Sequence, residues 1–124
     1  MKIKYFVLNL TLFLSLMGFS GFAHGQTQAS EQKTRLVVSF YSICCGIDHK
    51  AQESLDKFIQ RYEKTKRKQL AKAAVSWGRE GEVDYCLTLS ELSPKEQKRF
   101  IAQVRGLLKK SKLVHINENA ACRS

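Results

Sequence analysis

Two hydrophobic periodicities alternate along this chain, and their order restricts the possible folds more than any other feature. Apolar residues recur at every second position in four segments, as in β-strands, and along one face of a 3.6-residue repeat in two others, as in α-helices. A short loop from Gly78 to Gly81 joins the second and third strands and indicates a hairpin. The predicted elements are a strand at 35–43, a helix at 48–64, strands at 70–77 and 83–89, a helix from Pro94 to about Lys109 and a strand at 113–116.

Local capping signals support both helices. Asp48 is placed to cap the first helix. Ser93, Pro94 and Glu96 mark the start of the second helix, since serine caps, proline takes the first helical position and glutamate completes a capping box. The order strand, helix, strand, strand, helix, strand predicts an α+β, ferredoxin-like βαββαβ sandwich. In this fold a four-stranded antiparallel sheet carries both helices on one face and has strands 1 and 3 in the middle.

Residues 1–25 predict a secretory signal peptide. Lys2 and Lys4 precede an apolar run, and small residues before Gln26 fit a cleavage site. The run is shorter than the roughly 20 residues that a membrane-spanning helix needs. We therefore expect an exported protein, periplasmic or secreted, that is soluble and has no stable membrane anchor after cleavage. The mature chain is predicted to comprise a flexible leader at 26–34, one domain at 35–117 and a C-terminal tail at 118–124.

Four cysteines, Cys44, Cys45, Cys86 and Cys122, lie in the predicted mature chain. An even number of cysteines in an oxidising compartment usually forms disulfides, each of which stabilises a small domain by about 2–4 kcal/mol. In the predicted topology Cys86 comes near the end of strand 1, on the sheet face to which Cys45 also points. We therefore expect a Cys45–Cys86 bridge. A bridge between Cys44 and Cys122 would require the tail to fold back.

Cys44 and Cys45, with His49 close by, also allow a soft-metal site. Two thiolates near a helix N-terminus favour copper(I) or a similar ion. A metal-binding loop between strand 1 and helix 1 of a ferredoxin-like domain resembles the heavy-metal-associated domains, and this resemblance implies copper or another soft metal as cofactor. Those domains carry a Cys-x-x-Cys pair, whereas the cysteines here are adjacent. A redox-active bridge between the two neighbours is a third interpretation.

No catalytic motif accompanies these cysteines. The sequence contains no G-x-S-x-G, H-E-x-x-H or Gly-rich phosphate loop, and we regard neither His49 nor His115 as catalytic. The formal net charge is +10, but the basic clusters lie at the C-terminal ends of two antiparallel helices, where they compensate the helix dipoles. We therefore expect neither an enzyme nor a nucleic-acid partner.

The sheet face away from the helices is the expected interaction surface. It is more apolar than a solvated face needs, and exposed apolar patches often bind other proteins. Tyr41, Ile43 and His115 are the chief candidates for contact with a second copy of the chain or another protein partner. The predicted face comprises Val37, Ser39, Tyr41, Ile43, Ala74, Ser76, Asp84, Thr88, Leu113 and His115.

These features favour a small exported, disulfide-stabilised, non-catalytic binding or accessory module. The alternative is a periplasmic soft-metal binding protein that uses the adjacent cysteines. Mass spectrometry of the mature protein before and after reduction separates the two. Two bridges would eliminate the metal hypothesis, and free, metal-bound thiols at Cys44 and Cys45 would eliminate the disulfide hypothesis.

Overall fold

The computed structural model describes residues 33–124. The predicted signal peptide, and the predicted leader up to residue 32, lie outside the described residues. The elements are β1 (Lys33–Phe40), α1 (His49–Lys66), β2 (Lys72–Ser76), β3 (Val83–Leu87), α2 (Pro94–Leu108) and β4 (Val114–Ala121).

β1 lies in the middle of the sheet and pairs antiparallel on both sides. Phe40 lies opposite Val83 of β3 and opposite Val114 of β4. β2 pairs antiparallel with β3, so the strand order is β2-β3-β1-β4. This order confirms the predicted α+β, ferredoxin-like fold with its first and third strands in the centre.

One hydrophobic core joins the helices to the sheet. The β1 positions predicted to point inward, Leu36, Val38 and Phe40, are completely buried. Leu55 from α1 and Phe100 from α2 are completely buried against them. The other buried members are Ile47, Ala51, Ile59, Leu70, Val83, Tyr85, Leu87, Leu89, Leu92, Ile101, Val104 and Leu108.

Both helices begin at the predicted caps. The Asp48 carboxylate accepts a hydrogen bond from the Ala51 N–H at 3.0 Å. At α2 the capping box is complete: Ser93 Oγ accepts from the Glu96 N–H at 3.3 Å, and the Glu96 carboxylate accepts from the Ser93 N–H at 3.0 Å. These reciprocal bonds satisfy donors that the first helical turn would otherwise leave unpaired.

Several strand boundaries differ from the prediction, and β1 begins at Lys33, within the predicted leader. β1 ends at Phe40, so the residues up to Ile43 belong to the loop that follows it. β4 extends to Ala121, well beyond the predicted end at Ile116, and thus includes part of the predicted tail. Residues 117–121 are polar or small and have little intrinsic strand preference. Pairing with β1 nevertheless continues the strand to Ala121, which lies opposite Lys33, although Asn119 has a positive φ of 52°.

The orientation predicted for β2 was wrong. Ala73 lies opposite Cys86, so Ala73 and Val75 share the sheet face away from the helices, whereas Ala74 and Ser76 lie on the helix side. β2 is an edge strand that is mostly exposed on both faces. Alternation alone therefore does not distinguish its two faces.

The aromatic cluster between the helices provides a test of the core. The Phe100 ring lies 4.9 Å from the Tyr62 ring and 5.3 Å from the Phe58 ring, centroid to centroid. We expect Phe100→Ala to lower the free energy of unfolding by about 3–5 kcal/mol, since it removes buried surface and leaves a cavity. Leu107→Ala, at a 38% exposed position of the same helix, should cost far less. Urea unfolding of both variants checks this, and equal losses would contradict the described packing.

Candidate functional site

The segment that joins β1 to α1, residues 41–48, is called the connecting loop below. Its Ser42 hydroxyl donates to the Glu80 carboxylate in the turn between β2 and β3, and the Gly46 N–H donates to Ser42 Oγ at 3.2 Å. Cys45 and Gly46 both have positive φ angles, of 72° and 104°. Glycine adopts this conformation freely, but a cysteine does so at a cost, so the neighbouring contacts must hold the loop in shape.

The four cysteines form two pairs with sulfur atoms at bonding distance. Cys44 pairs with its neighbour Cys45, whose Cα is 3.8 Å away. Cys86 pairs with Cys122, with the two Cα atoms 5.9 Å apart. No free cysteine remains in residues 33–124. The expected Cys45–Cys86 bridge was therefore wrong, although the expectation of disulfide pairing fits the structure.

The register of β1 explains the different pairing. Cys86 lies opposite Val37, and the end of β4 lies opposite Lys33. Lys33 is the first residue of β1 and Val37 lies near its middle, whereas the two adjacent cysteines come after its last residue. Because β4 is longer than predicted, it places Cys122 near Cys86 and far from the connecting loop.

The adjacent cysteines do not form a metal site in this state. Each of Cys44, Cys45 and His49 is exposed. The three do not form a metal-binding group, and neither does any other set of three or more His, Cys, Asp or Glu side chains within residues 33–124. The sulfur atoms are bonded to each other and provide no thiolate ligand. The residues present therefore do not fit the copper site that the resemblance implied.

Asp48 connects the connecting loop to the segment before β4. Its second carboxylate oxygen accepts from the Ser111 hydroxyl at 2.7 Å. This hydrogen bond, followed by the one from the Ala51 N–H, lowers the pKa of Asp48 below its ordinary value, because both favour the ionised carboxylate. One side chain thus caps α1 and anchors the chain between α2 and β4.

Tyr41 and His115, two predicted interaction residues, lie together. Their rings stack with centroids 4.5 Å apart and planes 8° apart. The Tyr41 hydroxyl donates to the Lys112 carbonyl at 2.6 Å, and the Tyr41 N–H donates to the Leu113 carbonyl at 3.1 Å. Ile43, the third predicted residue, lies in the connecting loop and is exposed.

The sheet face away from the helices is far less open than the sequence suggested. Val37, Ser39 and Asp84 were predicted to contribute to an exposed surface, but all three are buried. The chain covers this face itself, because Arg123 and Trp77 contact Asp84. The centre of this sheet face is therefore buried, and only smaller areas around it are exposed.

Asp84 is the centre of a polar site that sequence reasoning missed. It is only 2% exposed. One carboxylate oxygen accepts from the Trp77 indole N–H at 2.9 Å, and the other pairs with Arg123 Nε at 3.1 Å. The Arg123 guanidinium carbon lies 3.7 Å from the centroid of the Trp77 ring. The sequence contains two signals of this polar site. One is an aspartate between apolar neighbours in a central strand, and the other is an arginine beside a cysteine.

No protein-family model, curated protein or solved structure matches this chain. Within residues 33–124, no helix has the length and apolar character needed to cross a membrane.

The lowered pKa of Asp48 predicts a pH-dependent contribution to stability. Asp48→Asn keeps a good N-cap but removes the charge. Because the pKa is lower in the folded state, the ionised carboxylate stabilises the protein above the unfolded-state pKa of 3.8. This contribution is lost as the pH falls through the folded-state pKa. Urea unfolding of both proteins from neutral to acidic pH should show a difference that disappears in acid.

Two further variants serve as controls for this prediction. Asp48→Ala removes cap and charge together and should cost about 1 kcal/mol or more at neutral pH. Ser111→Ala should reduce the difference between Asp48 and its Asn variant, because it removes the main cause of the lowered pKa. A difference between the wild type and Asp48→Asn that stays constant across the pH range would contradict the assignment.

Proposed function

We propose that this protein is a small exported, disulfide-stabilised, non-catalytic binding module that contacts a protein partner through its connecting loop. The observation that carries this proposal is the position of Ile43. Its side chain is 81% exposed, and Leu107 at 38% is the only other large apolar side chain found exposed in residues 33–124. An isolated exposed apolar residue is ordinary, so its surroundings decide its meaning.

The surroundings of Ile43 are held in place on both sides. Before it, Tyr41 is stacked on His115 and hydrogen-bonded to the chain that enters β4. After it, the bonded pair of adjacent cysteines leads to Gly46, whose N–H is tied to Ser42. An apolar side chain on a preorganised loop loses little conformational entropy on binding, which favours its use as an anchor in a partner's pocket.

Export and the lack of catalysis belong to the same proposal. The predicted signal peptide at 1–25 and the pairing of all four cysteines support a protein of an oxidising compartment. The paired thiols offer no free nucleophile, and His115, which contacts Tyr41 of the loop, is stacked on that tyrosine. These features suit a rigid contact surface better than a reaction centre.

Position-specific crosslinking tests the proposed contact. A photo-crosslinking amino acid is placed at Ile43 in the full-length protein, and at Leu107 as the matched control, in cells that produce the protein. We expect a discrete crosslinked product from position 43 that is absent from position 107. Ile43→Asp, combined with a crosslinker at a neighbouring loop position, should reduce that product at least about tenfold, the loss expected for an anchor residue.

Sedimentation of the purified protein tests whether the partner is a second copy of the chain. A homodimer should dissociate in Ile43→Asp and persist in Leu107→Asp. No product from position 43, or the same products from both positions, would overturn the proposal. Ile43→Asp should retain the wild-type unfolding midpoint, because the side chain is almost fully exposed.

A further inference from the structure

The C-terminal residues cross the sheet face away from the helices. β3 and β4 lie on opposite sides of β1, so they are about 10 Å apart within the sheet. The chain must therefore pass over the beginning of β1 for Cys122 to bond with Cys86. Arg123 follows immediately, and its side chain reaches Asp84, two positions before Cys86 on the same face of β3.

We propose that Asp84 and Trp77 form a binding site for the guanidinium group of an arginine on a partner chain, and that Arg123 is its tethered, displaceable occupant. A carboxylate that is 98% buried is costly unless a cation and hydrogen-bond donors accompany it. The Trp77 N–H orients one carboxylate oxygen and leaves the other free to receive a cation. The site is thus complete except for a cation, which Arg123 provides.

The geometry selects arginine over lysine. A guanidinium group is planar, so it can stack on the Trp77 ring while one of its N–H groups points at the carboxylate of Asp84. The ammonium group of lysine is compact and strongly hydrated and does not stack in this way. The recognised group is therefore a guanidinium, on a peptide or on a free arginine.

Arg123 is placed so that it can be displaced. Its side chain remains 52% exposed, so an incoming ligand can reach it from solvent. It lies beyond the last residue of β4, outside any helix or strand. The bond between Cys122 and Cys86 keeps the arginine near the site and raises its effective concentration, as a linker does for two binding modules. A partner arginine must compete with this tethered one.

This proposal is independent of the contact proposed at the connecting loop. It rests on a buried carboxylate and its cation, whereas the loop contact rests on an exposed apolar side chain. Ile43→Asp should leave guanidinium binding unchanged, and Arg123→Ala should leave the position-43 crosslink unchanged. Failure of one proposal is therefore distinguishable from failure of the other.

Trp77 is the single tryptophan in the sequence and reports directly on the site. Arg123→Ala leaves both disulfides possible and vacates the site. Its tryptophan fluorescence is titrated with the peptide Asn-Ala-Ala-Ser-Arg-Ser, which copies the end of the chain with serine in place of cysteine, and separately with free argininamide. We expect saturable binding of the peptide at least about tenfold tighter than to the wild-type chain, where the tethered arginine competes. Comparable binding of argininamide would identify free arginine as a sufficient ligand.

Matched controls define what would overturn the proposal. A lysine version of the peptide should bind at least about tenfold more weakly, since it cannot stack. The double variant Asp84→Asn, Arg123→Ala should lose binding. Each titration is repeated by calorimetry as an independent measure of binding. Circular dichroism checks that each variant is folded. The site is refuted if folded Arg123→Ala shows no saturable binding, or if it binds the lysine and arginine peptides equally. It is also refuted if the double variant Asp84→Asn, Arg123→Ala binds the arginine peptide as well as Arg123→Ala does.

If the double variant does not fold, Cys86→Ser with Cys122→Ser provides the second measurement. It leaves Asp84, Trp77 and Arg123 present but removes the tether. The arginine peptide should then bind more tightly than to the wild type and more weakly than to Arg123→Ala. Binding no tighter than to the wild type would show that the tail does not act as a competitor.

Discussion

The double pairing of β1 is the interaction on which the rest of this structure depends. β3 and β4 satisfy its backbone hydrogen-bonding groups on both edges, and side chains cover both of its faces. Because β1 ends at Phe40, the connecting loop leaves the sheet at a defined point between the β2–β3 turn and the start of β4. Because β4 follows β1 back to Lys33, the C-terminal residues arrive at the opposite end. Both candidate sites thus depend on β1, because the connecting loop follows its last residue and Asp84 lies opposite Ser39.

The architecture was predictable because its determinants are local. The apolar stripe of α1, the inward positions of β1 and the capping box of α2 each follow from residues close in sequence, and each is present in the structure. Element order and the handedness of connections then restrict the topology to the observed one. Ile43 was predicted to end the first strand on the open sheet face. It is exposed, but it lies in the connecting loop, because the end of β1 depends on pairing with segments distant in sequence.

The cysteine pairing and the covering of the sheet depend on contacts between distant residues. Periodicity indicated that β4 ended at Ile116, because the residues that follow are polar or small. Pairing with β1 extends the strand to Ala121 and brings Cys122 to Cys86. Likewise, the weak alternation of β2 placed Trp77 on the wrong face, so its contact with Asp84 was not foreseen. In both cases tertiary pairing outweighed a weak local preference.

The self-covered sheet face changes where binding is physically reasonable. A broad apolar face would favour non-specific association, but here the chain buries Val37 and Ser39 and leaves two small features of different chemistry. Ile43 offers an apolar side chain on a constrained loop, and Asp84 offers a carboxylate whose cation comes from the end of the chain. Each is held by bonds between residues distant in sequence. Both features therefore depend on the folded chain, which holds each of them in a preorganised arrangement.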